Sequence, residues 1–277
     1  MAASRAAWKA ELTLVFRRTG ARSTLAERRH EGPLVVQKPL YPEGPGVCHT
    51  VLVHAPGGIA GGDALTVNLS LEADARALIT TPAATKWYKA DGRVARQTGH
   101  FRVATGAVLE WLPLEAIVFD EADAVIESRV MLEDGGNFAG WEITCLGRRA
   151  SGEVFRQGGL RQGMEISRAG RLIWNDRIAL SGGDRMLTSP AGMGGHHVAG
   201  AMAVAGPGTL PADLLESCRT LVPLSGEGRI TALPEVVSAR YLGPSAENAK
   251  IYFESIRQVL RPWYAALHAH RPRIWDS

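Results

Sequence analysis

The chain has 277 residues, enough to bury about three quarters of its unfolded surface, so a large core needs no disulfide or metal staple. Its 31 basic and 28 acidic side chains leave a net charge of +3, and the pairs Arg17–Arg18, Arg28–Arg29 and Arg148–Arg149 read as solvated strand faces rather than a nucleic-acid footprint. Three cysteines, Cys48, Cys145 and Cys218, without a CxxC pair argue against a disulfide framework, and residues 1–16 carry Lys9 and Glu11 where a signal core would lie. A cytoplasmic protein that binds neither nucleic acid nor membrane is therefore expected.

Taken in order, Leu12, Leu14 and Phe16 alternate with Thr13, Val15 and Arg17, the period of a half-buried strand. Short strands follow at 23–30 and 34–38, and LYPEGPG (40–46) is a turn-rich connector. In CHTVLVH (48–54), Cys48, Thr50, Leu52 and His54 share one face while His49, Val51 and Val53 share the other, so a regular strand separates the two histidines. PGGIAGGD (56–63) then places four glycines in one short excursion. This is a chain that turns sharply twice and leaves Asp63 at the exit of the second turn.

Leu65, Val67, Leu69 and Leu71 form the clearest amphipathic strand, and strands recur at 76–81, 94–103, 107–111, 117–119, 124–132, 138–145, 163–168 and 171–180. Lys86, Trp87 and Tyr88 precede a turn at Asp91–Gly92, Lys86 reading as a solvated lysine or an anion contact. Alternation places Asp176 on the apolar face of Leu172, Trp174, Ile178 and Leu180, where a carboxylate has to be hydrogen-bonded, paired or metal-linked. Glu110 and Glu142 lie opposite their tryptophan neighbours and are weaker candidates. Residues 194–206 read as a small-residue strand in which His196 and His197 point to opposite faces.

Residues 209–222 read as a helix with Pro211 at its first position and Leu214, Leu215, Cys218, Leu221 and Val222 in one stripe, which makes Cys218 core. After strands at 229–233 and 235–242, a second helix over 245–269 starts with Ser245 as N-cap and is broken or kinked at Pro262. Its apolar stripe of Tyr252, Ile256, Val259, Leu260 and Trp263, flanked by Arg257 and Arg261, either docks on its own sheet or, through Ile256, Arg257, Leu260, Trp263 and Tyr264, offers a groove-filling face to a partner. Trp263, Tyr264 and Trp275 favour the partner. The chain lacks GxxxxGK[ST], HExxH and GxSxG signatures, and no readable spacing pairs its carboxylates.

Many short strands linked by Gly, Pro or Asp give a mainly β fold, a sandwich or a wound sheet, with about two helices near the C-terminus, in one domain over 1–277. Strands fill 1–208 and 223–242. The ordered series LYPEG, CH, PGGIAGGD, TTPAATKWYKA, LEWLPLEAIVFD and WEITCLGRRASGEVF, with RYLG further on, resembles the urease accessory protein UreD (UreH) family. Ala84 and Lys89 stand where that family commonly has Gly and Arg, and Asp176 where it has Glu.

The resemblance implies two sheet layers wound as an irregular right-handed β-helix. It also implies a non-enzymatic scaffold that binds UreF, recruits the GTPase UreG through it, docks on the urease apoprotein and conducts nickel to the urease active site. GTP hydrolysis then belongs to UreG, and no cofactor is tightly bound, nickel being only in transit. A path for Ni²⁺ needs replaceable oxygen or imidazole ligands, for which His54, Asp63, Glu142 and Asp176 are the candidates. The alternative is a metal-dependent hydrolase built from Cys48, His49, His54 and Asp63, with the His196–His197 pair.

Overall fold

The computed structural model describes residues 7–276, so the ends of the expected 1–277 domain, residues 1–6 and 277, lie outside the described residues. Strands dominate, as the alternation predicts. In chain order they are β1 (Lys9–Thr19), β2 (Arg22–Glu31), β3 (Leu34–Val36), β4 (Cys48–His54), β5 (Ala64–Leu71), β6 (Arg76–Thr80), β7 (Thr85–Trp87), β8 (Ala95–Val103) and β9 (Val108–Leu112). There follow β10 (Ala116–Val118), β11 (Asp123–Leu132), β12 (Asn137–Leu146), β13 (Gly159–Arg168), β14 (Arg171–Ser181), β15 (Val198–Ala205), helix α1 (Ala212–Arg219), β16 (Glu227–Ala232), β17 (Val236–Gly243) and helix α2 (Ala246–Ala265).

The chain winds between two sheets. One has the order β14-β13-β11-β8-β5-β1-β2, and the other runs β16-β17-β15-β12-β9-β6-β4-β3. From β4 to β13 the long strands fall alternately in the two sheets, and neighbours in each stack, β5-β8-β11-β13 and β4-β6-β9-β12, pair in parallel. Each coil therefore adds one strand to each layer, and short β7 and β10 add a third parallel stack beside β12. This is the wound double layer that the family resemblance implies. Antiparallel strands close both ends, and the edge strand β2 carries Arg22, Glu27, Arg28, Arg29 and Glu31, which discourages further pairing.

Two apolar cores result. Leu14, Leu69, Phe101, Ile126, Phe138 and Ile166 fill the space between the sheets. Ala139, Trp141, Ile143, Phe253, Ile256 and Leu260 fill the space between the second sheet and α2. The second sheet is thus covered on both faces. Helix α2 starts with Ser245 Oγ accepting the Asn248 amide at 3.2 Å, runs through Pro262 and ends in a left-handed Ala266. Helix α1 is shorter than its apolar stripe suggested, so Val222 falls in the following loop and is 80% exposed, while Cys218 is core.

The partner-facing reading of α2 is corrected: Ile256, Arg257, Leu260 and Tyr264 are all buried against the chain's own sheet, and half-buried Trp263 packs over Gly206. Trp275 donates from Nε1 to Thr80 Oγ1 at 2.8 Å rather than facing solvent. What holds the helix is a buried ionic cluster. Glu110 on β9 accepts from Arg257 Nε at 2.7 Å, Arg261 Nη2 at 2.8 Å and Tyr264 Oη at 2.6 Å. Arg261 also reaches Glu43, which meets His49 Nε2 at 2.6 Å. Burial alone would raise the Glu110 carboxyl, but the two guanidiniums outweigh it and hold the group at about 2; Glu43 is likewise held at about 2.

Removing one partner from such a cluster strands the others away from water. Arg261→Met is expected to destabilise the fold by about 3–5 kcal/mol in urea unfolding. Because both carboxyls titrate lower in the folded chain than unfolded, their stabilisation is complete above about pH 4.5 and is lost as the pH falls toward about 2. Thermal unfolding across that window checks it.

Candidate functional site

The space between the sheets is not uniformly apolar. Alternation along β12 sends Trp141 and Ile143 toward α2, and Phe138, Glu142, Thr144 and Leu146 inward. On the opposing sheet, Ser128 of β11, Gln162 of β13 and Asp176 of β14 also point inward, among residues such as Ile126, Met164 and Ile178. Ser128 Oγ donates to Glu142 Oε1 at 3.0 Å and Gln162 Nε2 to Oε2 at 2.5 Å; Thr144 Oγ1 reaches Gln162 Oε1 at 2.7 Å. Burial, reinforced by the charge of Asp176, pushes the Glu142 carboxyl up to about 7, although both hydrogen bonds pull it down. From spacing alone Glu142 is a weaker candidate than Asp176, because it lies opposite a tryptophan. With α2 covering the tryptophan face, the opposite face is the inter-sheet interior.

Three cavities lie along this interior and share walls. The largest, about 320 Å³, is bordered by His54, Gly57 and Gly58 at one end of the layers. It shares Thr85, Gln97, Trp111 and Pro113 with a constriction of about 40 Å³, which in turn shares Glu142 and Gln162 with a cavity of about 60 Å³ bordered by Asp176, Ala201 and Arg240. Glu142 therefore stands where the second and third spaces meet. His54 faces the first with neither ring nitrogen hydrogen-bonded, and burial lowers its pKa, partly offset by Asp63. Asp176 sits on the apolar face as its spacing predicts, paired with Arg240 Nη2 at 2.7 Å.

The glycine excursion frames the His54 end. Gly57 and Gly62 take positive φ, and a side chain on Gly61 would strike the Ala90 carbonyl, so both turns require glycine. Asp63 is not displayed there, however. It is buried, with Oδ1 accepting the Trp8 amide and Oδ2 the Ala60 amide, each at 2.8 Å. Its carboxylate ties the first strand to the loop and leaves the passage without it. Lys86 is exposed at the rim of the first cavity.

The hydrolase constellation is not assembled. His49 faces Glu43 on the far side of β4 from His54, Cys48 packs inward beside Thr50 at 3.8 Å, and Asp63 is engaged by backbone amides. His196 and His197 precede β15 instead of lying on it. Among the described residues, no three His, Cys, Asp or Glu side chains converge on a metal position. The site offers isolated oxygen and imidazole donors along three cavities that share walls.

A profile of the UreD urease accessory protein family matches residues 9–276. The chain belongs to this family. It is 50% identical over 272 residues to the urease accessory protein UreD of Methylobacillus flagellatus, covering 98% of this chain and 95% of the relative. It is 45% identical over 275 residues to that of Azoarcus sp. (99% and 96% covered) and 46% identical over 273 residues to that of Dechloromonas aromatica (98% and 95% covered). Membership gives the chain a role in urease maturation, an accessory role. No helix among the described residues is long and apolar enough to cross a membrane.

Two outcomes follow from the geometry. Asp63→Ala tests the buried carboxylate. With two backbone amides depending on it, the substitution is expected to lower stability by about 1–3 kcal/mol, read as a shift in the urea midpoint. Glu142, raised in the folded chain, opposes stability increasingly as pH rises from about 4.5 to about 7. Glu142→Gln should therefore gain on the wild type across that window, by up to about 3 kcal/mol, and stay level above it. Unfolding at pH 5 and pH 8 measures the difference.

Proposed function

We propose that the chain is the scaffold on which urease receives nickel. It binds UreF, gathers UreG through UreF, docks on the urease apoprotein in the cytoplasm, and passes Ni²⁺ along the space between its two sheets. GTP hydrolysis belongs to UreG, and the nickel is cargo rather than a resident cofactor. The observation that carries this reading is the line of cavities from His54 to Asp176, met by one ligand-bearing side chain at a time.

The chemistry suits transfer. A closed set of three or four ligands would hold Ni²⁺ at equilibrium, whereas single imidazole or carboxylate contacts, completed by water, release it to the next. The unpartnered ring of His54 is free to ligate at neutral pH, since burial favours its uncharged form. Glu142, titrating at about 7, exchanges a proton for the ion and regains it when the ion leaves. Asp176 lies beyond it in the next space, held toward Arg240.

The buried face of α2 changes what a truncation would report. Removing residues 245–277 uncovers Trp141 and strands Glu110, so lost urease activation would reflect a lost fold. Point variants separate the roles. When coexpressed with UreF, UreG and apo-urease, His54→Ala and Glu142→Ala are expected to co-purify with the partners at wild-type yield while urease nickel content falls about tenfold. Wild-type nickel content in both variants would refute the passage; loss of co-purification would refute the separation of scaffold from path.

A further inference from the structure

A second concavity shares no residue with the passage. It is formed by the connection between β12 and β13 and the connection between β14 and β15, and has a volume of about 280 Å³. Arg149, Arg156 and Arg185 stand around it, each exposed and none engaged in a side-chain hydrogen bond or salt bridge among the described residues. The one acid in the wall, Asp184, has Oδ1 accepting the Met186 amide at 2.8 Å. His196 joins the wall, and His197 beside it is held below the usual histidine value first by burial and then by the charge of Arg149. Three guanidiniums thus stand against the single carboxylate of the wall, an excess of positive charge.

The wall is also preformed. Asp120 Oδ1 accepts the amides of Arg156 and Gln157 at 2.7 and 2.8 Å, and the Met193 amide donates to the Met186 carbonyl at 2.8 Å, so both connections are pinned. Below the arginines lie Leu146, Phe155 and Leu187, an apolar floor. A free oxyanion would find donors at the rim but nothing to gain from that floor. An acidic peptide with one apolar side chain satisfies both, its carboxylates meeting the guanidinium forks and its anchor leaving water.

We propose that this pocket docks an acidic segment of a partner protein, an apolar residue flanked by Asp and Glu. The contact is independent of the nickel passage, so either can fail without the other. The probe is a fluorescein-labelled peptide, Asp-Glu-Glu-Leu-Glu-Asp, titrated with the full chain by fluorescence anisotropy at low salt and again with added NaCl. Arg149→Glu, Arg156→Glu and Arg185→Glu are each expected to weaken binding about tenfold with unchanged melting temperature, these side chains being exposed. Alanine in place of the probe's leucine should weaken it severalfold, and salt should weaken it further. Unaltered affinity in the three variants would overturn the proposal. So would a leucine-independent signal displaced by inorganic pyrophosphate, which marks a small-oxyanion site, or equal binding of a short RNA.

Discussion

Glu110 has no water to turn to. It lies 1% exposed between the second sheet and α2, and its charge is tolerated only because Arg257, Arg261 and Tyr264 all bond it there. Those three residues sit one turn apart along α2, so satisfying the carboxylate fixes the helix in both position and rotation. Arg261 carries the constraint onward to Glu43 and His49, which ties in the loop before β4. Such a cluster contributes little net stability against an apolar alternative, yet breaking it is costly. Its consequence is register. The helix covers one face of β12, β15 and β17, whose other face packs on the first sheet, so these strands have no side turned to water.

That enclosure gives the polar residues between the sheets their character. Facing solvent, Glu142 would be an ordinary carboxylate. Between β12 and the opposing strands it has Ser128 and Gln162 as its hydrogen-bond donors and titrates near neutrality. The parallel winding sets the spacing. Gln97 and Gln162 both stand opposite Ile126 in the first sheet, while Glu142 pairs across to Ala201 and Ala201 to Arg240 in the second. Polar side chains on successive coils thus fall along a line rather than in a cluster, the difference between a route and a binding site.

Much of this was legible in the sequence. Period-2 alternation located most of the strands, separated His49 from His54, and placed Asp176 on an apolar face where it needed a partner. The double glycines were correctly read as obligate turns. Alternation failed where it assumed that one face of a strand meets water, which misjudged Glu110 and Glu142 on strands covered from both sides. The same assumption offered the stripe of α2 to a partner. A signal was present in Arg257 and Arg261, four residues apart beside that stripe, with Glu110 next to Trp111: charges that only a shared burial explains. Glu43 in the turn-rich loop and the short strand β7 carried no local mark, because their roles are set by residues distant in sequence. Asp63 misled for a related reason, since one of its amide partners, Trp8, lies 55 residues away, just before β1.

The central claim is that nickel travels through the interior between the sheets, and a steric plug tests it without removing any ligand. Ala201 borders the cavity next to Asp176, on the inner face of β15. An Ala201→Trp chain, purified in its complex with UreF and UreG, is added to apo-urease with Ni²⁺ and GTP, and the nickel bound per urease is measured. The account predicts an intact complex that delivers little nickel. Full nickel loading by the plugged chain would contradict it.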